Sequence, residues 1–190
     1  CDSNAREELI NNMGWIITGD NIGIECFPSE DATIDLFLQF NGNYDFTAIG
    51  NTLNPAPNPC NILTESSADL SLDPSQSIVS AHLYWAGSGS IDFGAAYPSD
   101  GNVSLNGNQI IGNRQFQATA NFGGDGRDYF SYYADVTEFV TGNGTYTLSD
   151  FDITGNIQGS PDGPYCANGT DFGGWSIIII YEDPNLALNQ

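Results

Sequence analysis

Towards its C-terminal end the chain reads Gly174-Trp175-Ser176-Ile177-Ile178-Ile179-Ile180-Tyr181-Glu182-Asp183-Pro184. Four consecutive isoleucines in a chain of formal charge −21 need somewhere to go. β-Branched side chains favour extended backbone, and Asp183-Pro184 stops a strand because proline offers no amide to a ladder. On a strand, Trp175, Ile177, Ile179 and Tyr181 share one face, and Ser176, Ile178 and Ile180 the other. A strand apolar on both faces must be covered on both. At a sheet edge it would recruit other chains and aggregate. The segment therefore predicts a central strand, flanked by neighbours and packed against a second layer. A buried helix is the rival, but the run is too short and too branched for one. It is also far shorter than the ~20 residues of a membrane-spanning helix.

The rest of the chain supplies such neighbours. Strict alternation marks residues 32–40, with Ile34, Leu36, Leu38 and Phe40 on one face. It marks 77–87 as well, with Val79, Ala81, Leu83 and Trp85 inward. Asn106-Gly107 between apolar pairs accepts the positive φ angles of a tight turn and predicts a hairpin over 102–111. Residues 127–136 are aromatic on both faces. Asp135 and Glu138, three apart before Phe139 and Val140, predict a short helix near residues 135–141, ended by Gly142. Residues 144–153 read as a strand whose apolar phase shifts near Ser149, the mark of a bulge. Residues 50–62 carry Pro55, Pro57 and Pro59 and read as a loop. Earlier, 5–13 allows a turn or so of helix and 14–19 a short strand. Short strands with Gly/Asn turns and almost no helix make an all-β fold, a β-sandwich or jelly roll. One such domain fits residues 31–190, with 1–30 as an N-terminal appendage.

Charge and cysteines bound the setting. With 24 acidic residues against 3 arginines, the chain repels nucleic acid and anionic membrane surfaces. Hard cations that prefer oxygen, calcium above all, remain as partners, and acidity for solubility alone is the competing explanation. Cys1, Cys26, Cys60 and Cys166 are scattered and none lies in a zinc-type spacing. An even, scattered set predicts two disulfides in an exported protein. All three pairings are open. A clasp would suit the Asn- and Pro-rich segment between Cys26 and Cys60, which favours Cys26–Cys60 and leaves Cys1–Cys166. A lipid on Cys1 would leave three cysteines, an awkward number outside the cell. With no initiator methionine, the chain reads as a mature or excised piece of such a protein.

Catalytic patterns are thin. The single histidine, His82, sits mid-strand, and no Gly-x-Ser-x-Gly elbow occurs. Paired carboxylates for glycoside hydrolysis would arise by coincidence among so many acids. Asp125 and Asp128 in a Gly-rich loop, and Asp150 and Asp152 in "SDFD", are the candidate calcium ligands, since short Asp spacing lets oxygens converge on one ion. Neither pair matches an EF-hand loop, and Asp favours turns for its own hydrogen bonds. Tyr129, Tyr132 and Tyr133 cannot all face inward on one strand, so they offer either sugar-stacking surfaces or a strand buried on both sides.

Three blocks taken together, "AHLYWAGSG" (81–89), "YFSYYADVTEFV…GNGTYTLSDFDI" (129–153) and "YCANGTDFGGWSIIIIYEDPNLALNQ" (165–190), carry a resemblance. It covers roughly residues 45–190 and leaves 1–44 outside. They resemble a domain of very large surface proteins of gliding Bacteroidota and related environmental bacteria. That resemblance implies a non-enzymatic module of an adhesin-like, type IX-secreted protein at the bacterial cell surface, without catalytic residues. Its partners would be neighbouring domains or subunits, or glycans. A carbohydrate-binding module is one alternative. Another is a filament subunit assembled by strand addition, with residues 1–25 as the donor segment.

Overall fold

A computed structural model describes residues 36–55, 60–122, 125–158, 164–167 and 169–188. The chain divides into two compact units, residues 1–39 and 40–190. The helical turn at 5–13, the strand at 14–19, Cys1 and Cys26 lie outside the described residues. So does the first part of the strand expected at 32–40. Residues 36–40 form no strand, and Leu36, Phe37 and Leu38 are exposed.

Residues 40–190 form an all-β sandwich of two antiparallel sheets. One sheet holds β1 (Tyr44–Thr52), β3 (Ser77–Ser88), β6 (Arg114–Phe122), β7 (Asp125–Asp135) and β9 (Gly173–Glu182), in the order β1-β9-β3-β7-β6. The other holds β2 (Ser66–Leu70), β4 (Asn102–Leu105), β5 (Asn108–Ile111) and β8 (Gly144–Ser149), in the order β2-β8-β4-β5. Two short helices, α1 (Thr154–Gln158) and α2 (Pro164–Ala167), precede β9. The helix expected near 135–141 is a single turn, closed by the Val140 amide on the Val136 carbonyl at 3.1 Å. Asp135 starts it by accepting the Thr137 amide at 2.9 Å.

The isoleucine segment is β9, and it is interior to its sheet. Ile177 lies opposite Ile49 of β1 on one side and Leu83 of β3 on the other. Trp175, Ile177 and Ile179 are buried against the second sheet. Each such side chain contributes roughly 1.5–3 kcal/mol when fully removed from water. The opposite face differs from expectation. No second layer covers it among the described residues. Ile178 and Ile180 are instead half-buried between side chains of their own sheet, Ala48 and Phe46 on β1 and His82 and Ser80 on β3.

The core follows the alternation on the other strands. Ala81, Leu83 and Trp85 of β3 point inward, whereas Val79 falls at a register shift between Ile78 and Ser80 and is only half-buried. Trp85 stacks on Tyr132 of β7 with ring centroids 5.5 Å apart. The hairpin turn between β4 and β5 is where Asn106-Gly107 puts it, with φ of 49° and 79°. The phase shift after Ser149 is the end of β8, not a bulge inside it. Asp150 takes a left-handed φ of 61°, which turns Phe151 and Ile153 into the core. Gly87 makes room for them: a Cβ there would lie 2.9 Å from the Phe151 ring and 3.0 Å from Ile153.

The disulfide is Cys60–Cys166, with Cα atoms 5.0 Å apart across 106 residues of sequence. Both expected pairings, Cys26–Cys60 and Cys1–Cys166, are thereby overturned, since each needs one of these two cysteines. Strand register decides the matter rather than nearness in sequence. The Leu53 amide bonds the Gly173 carbonyl at 2.8 Å, and Asn54 Nδ2 reaches the Asp171 carboxylate at 2.9 Å. These bonds hold the Pro-rich loop that carries Cys60 beside the segment between α2 and β9. A disulfide of this kind belongs to an oxidising, non-cytoplasmic compartment. Among the described residues, no helix is long and apolar enough to cross a membrane. Replacing Cys60 and Cys166 together by alanine should cost about 2–5 kcal/mol. Denaturant unfolding should read this as a lower midpoint, with strand content retained in the folded baseline.

Candidate functional site

The four candidate calcium ligands do not form one site. Asp128 accepts the Thr119 hydroxyl at 2.6 Å, across the β6–β7 pair. Asp125 opens β7, opposite Phe122 of β6. Asp150 and Asp152 follow β8, where they line a hollow of about 420 Å³ with Thr64, Glu65, Ser149, Phe151 and Thr154. Asp152 is already engaged, accepting the Thr154 hydroxyl at 2.5 Å and its amide at 3.1 Å. Those two bonds hold the Asp152 carboxyl below the usual carboxylate range. Sequence reasoning missed Asp100. Its carboxylate accepts the Asp152 amide at 2.7 Å and the Asn102 amide at 3.0 Å. Burial pushes its pKa up, and the neighbouring Asp152 and Asp150 charges add to the rise. The backbone bonds make Asp100 a staple between two loops. Among the described residues, no group of three or more His, Cys, Asp or Glu stands close enough to share a metal ion.

His82 sits on the less buried face of its strand, as alternation places it, yet neighbouring side chains bury it. Its Nδ1 meets the Tyr133 hydroxyl and its Nε2 the Ser80 hydroxyl, both at 3.0 Å. Burial lowers its pKa, and Asp135 opposes this only in part. The ring is a bracket between β3 and β7. The tyrosine question is answered on both sides of β7. Tyr132 faces the core and gives its hydroxyl to the Ser99 Oγ pairing at 2.8 Å. Tyr133 is buried on the outer face between His82 and Tyr84, with the Arg114 guanidinium 5.6 Å from its ring centre. Tyr129 is half-buried and donates to the Thr170 carbonyl at 2.9 Å.

Among the described residues, no second layer covers the outer face of the five-stranded sheet. Register stacks its side chains in rows. One row runs Gly50, Ser176, Tyr84, Tyr133, Arg114, and the next runs Thr52, Gly174, Ala86, Ser131, Phe116. The second row is low where Gly174, Ala86 and Ser131 cross it, so a trough opens beside Tyr84. It encloses about 340 Å³ and is lined by Asn51, Thr52, Tyr84, Ala86, Phe172 and Ser176 among others. Phe172, 47% exposed, forms part of its wall. No charged side chain lines it. Tyr84, Ser131 and Ser176 make no hydrogen bond with their hydroxyls among the described residues. Of the two sequence alternatives for the tyrosines of β7, sugar-stacking surfaces or a strand buried on both sides, Tyr132 and Tyr133 fit the second.

At the loop end of the same sheet, Tyr165 donates its hydroxyl to the Asp128 carbonyl at 2.7 Å and packs edge-on to Tyr97 and Tyr129. Burial, reinforced by the Asp128 charge, pushes its pKa from 10.0 up to about 12. A phenol raised in the folded state contributes stability that is fully present below its unfolded value of 10.0 and is lost as pH rises through about 12. Phenolate absorbance should therefore show one tyrosine ionising last, near pH 12, as the domain opens. Tyr165→Phe should remove that step.

Comparison of the chain with protein-family models, with curated proteins and with solved structures finds no match.

Proposed function

We propose that this domain is a non-catalytic binding module of an exported bacterial surface protein of the adhesin kind. Its contact face is the outer side of the five-stranded sheet, and its ligand there is an extended, neutral glycan chain. The observation that carries this reading is the trough between Tyr84 and Phe172, where the hydroxyls of Tyr84 and Ser176 make no hydrogen bond among the described residues. Sugars present apolar C–H faces and hydroxyl edges. Aromatic walls suit the first, and unpartnered hydroxyls suit the second. The charge of −21 selects against acidic polysaccharides, and the uncharged lining selects for neutral ones. The disulfide-clasped sandwich supplies rigidity for presentation, as the resemblance to Bacteroidota surface domains leads one to expect.

A panel of neutral and acidic polysaccharides, tested by affinity electrophoresis and calorimetry, checks the reading. Binding should be confined to neutral chains. Tyr84→Ala and Phe172→Ala should each weaken it about five- to tenfold, the equivalent of ~1–1.4 kcal/mol per aromatic contact. Melting curves of both variants should match the parent within a few degrees, because both side chains are partly exposed. Silence across the whole panel would remove the glycan reading.

A further inference from the structure

The two edges of the five-stranded sheet are treated differently. On β1, the Phe46 amide is taken by the Asp45 carboxylate at 2.8 Å, and the Thr52 amide by the Asn51 side chain at 2.8 Å. Amides of one strand alternate between its two sides, so both belong to the free edge, away from β9. Asn51 also donates to the Ser67 carbonyl of β2 at 2.9 Å. The β1 edge is thus stopped at both ends by side chains that occupy its donors. This is how sheets avoid pairing with other chains.

Among the described residues, no side chain occupies the backbone donors of the β6 edge in this way. Its sequence is Arg-Gln-Phe-Gln-Ala-Thr-Ala-Asn-Phe, uncharged from Gln115 to Phe122 in a chain with 24 acidic residues. It pairs with β7 in unbroken register over all nine residues, with no bulge to twist it away. Among the described residues its only neighbour in the sheet is β7. Gln117 is held by the Ser90 hydroxyl and the Ile91 amide, but through its side chain, which leaves its backbone edge open. Phe116 and Ala118 are exposed.

We infer that β6 pairs antiparallel with β6 of a second copy of this chain, about a two-fold axis at Ala118, so that the two five-stranded sheets become one continuous sheet. Identical strands fit this way because a two-fold axis keeps each side chain on its own face. About Ala118, the large Phe116 lies opposite the small Ala120, Gln117 opposite Thr119, and Gln115 opposite Asn121. Arg114, the one cation of the strand, lies opposite Phe122, whose partner on β7 is Asp125. β6 carries no carboxylate, so none is brought face to face along the seam. The rest of each copy is strongly acidic, so the copies repel at long range and pair more tightly as salt screens that repulsion.

Sedimentation equilibrium of the full chain at low and high salt tests this. The expected result is a monomer–dimer equilibrium that shifts to dimer with salt. Ala118→Lys sets two like charges facing each other at the axis and should weaken dimerisation roughly tenfold or more, with melting unchanged. A second variant supplies a positive signal. Directly opposed Cα atoms in such a pair lie about 4.5–5.5 Å apart, within disulfide reach, so Ala118→Cys should cross-link to its own copy under mild oxidant. Asn121→Cys, opposite Gln115, should not. A monomer at every salt concentration overturns the proposal. So does a dimer that Ala118→Lys leaves intact, or one in which Asn121→Cys cross-links and Ala118→Cys does not.

Discussion

The domain depends on one strand whose inner face has no alternative to burial. β9 holds Trp175, Ile177 and Ile179 against the opposite sheet and pairs along its length with β1 on one side and β3 on the other. Chain order would never bring these three strands together by itself. β1 is the first strand of the sheet and β9 the last, so the sandwich closes only when β9 inserts between β1 and β3. The start of β9 also anchors the loop after β1, through the Leu53 amide on Gly173. That contact aligns Cys60 with Cys166. The disulfide therefore records a geometry that the apolar strand has already set.

The same strand shapes the outer face of its sheet. Where it passes the trough it presents Gly174 and Ser176, and further along it presents Ile178 and Ile180. The first pair lowers the sheet surface beside Tyr84. The second fills the space beside His82 and Phe46 and makes a ridge. Alternation thus gives β9 two tasks, a dry inner side that binds the sheets together and an outer side graded from small to bulky. The acidic residues lie elsewhere. Asp100 and Asp152 tie loops through backbone amides, and Asp135 starts the turn after β7. These carboxylates are thus engaged in local hydrogen bonds.

How much could be read from sequence follows from where each strand sits. β3, β7, β8 and β9 are interior strands, and each was legible because an interior strand needs at least one continuous apolar face. β4 and β5 were legible for a separate reason, the Asn106-Gly107 turn. The strands that escaped, β1, β2 and β6, are all edges. An edge strand is half-solvated. "YDFTAIGNT" and "RQFQATANF" mix polar and small residues on both faces and leave no pattern to find. The trough was invisible for a related reason: its floor combines residues of several strands, and only register lines up Gly174 with Ala86 and Ser131. The disulfide misled because the Asn- and Pro-rich segment between Cys26 and Cys60 was taken as needing a clasp, whereas the fold brings Cys60 to Cys166.

Residue-resolved hydrogen exchange measures the central claim most directly, since protection reports how deeply each strand is locked into the fold. The amides of Trp175 to Ile179, bonded on both sides and capped by the opposite sheet, should exchange last, together with those of Leu83 and Trp85. The outward amides of β6 should exchange orders of magnitude sooner in dilute, low-salt solution. If the isoleucine amides exchanged as early as those of β6, the strand would not be the element that holds the sandwich closed, and the account of both the disulfide and the trough would lose its foundation.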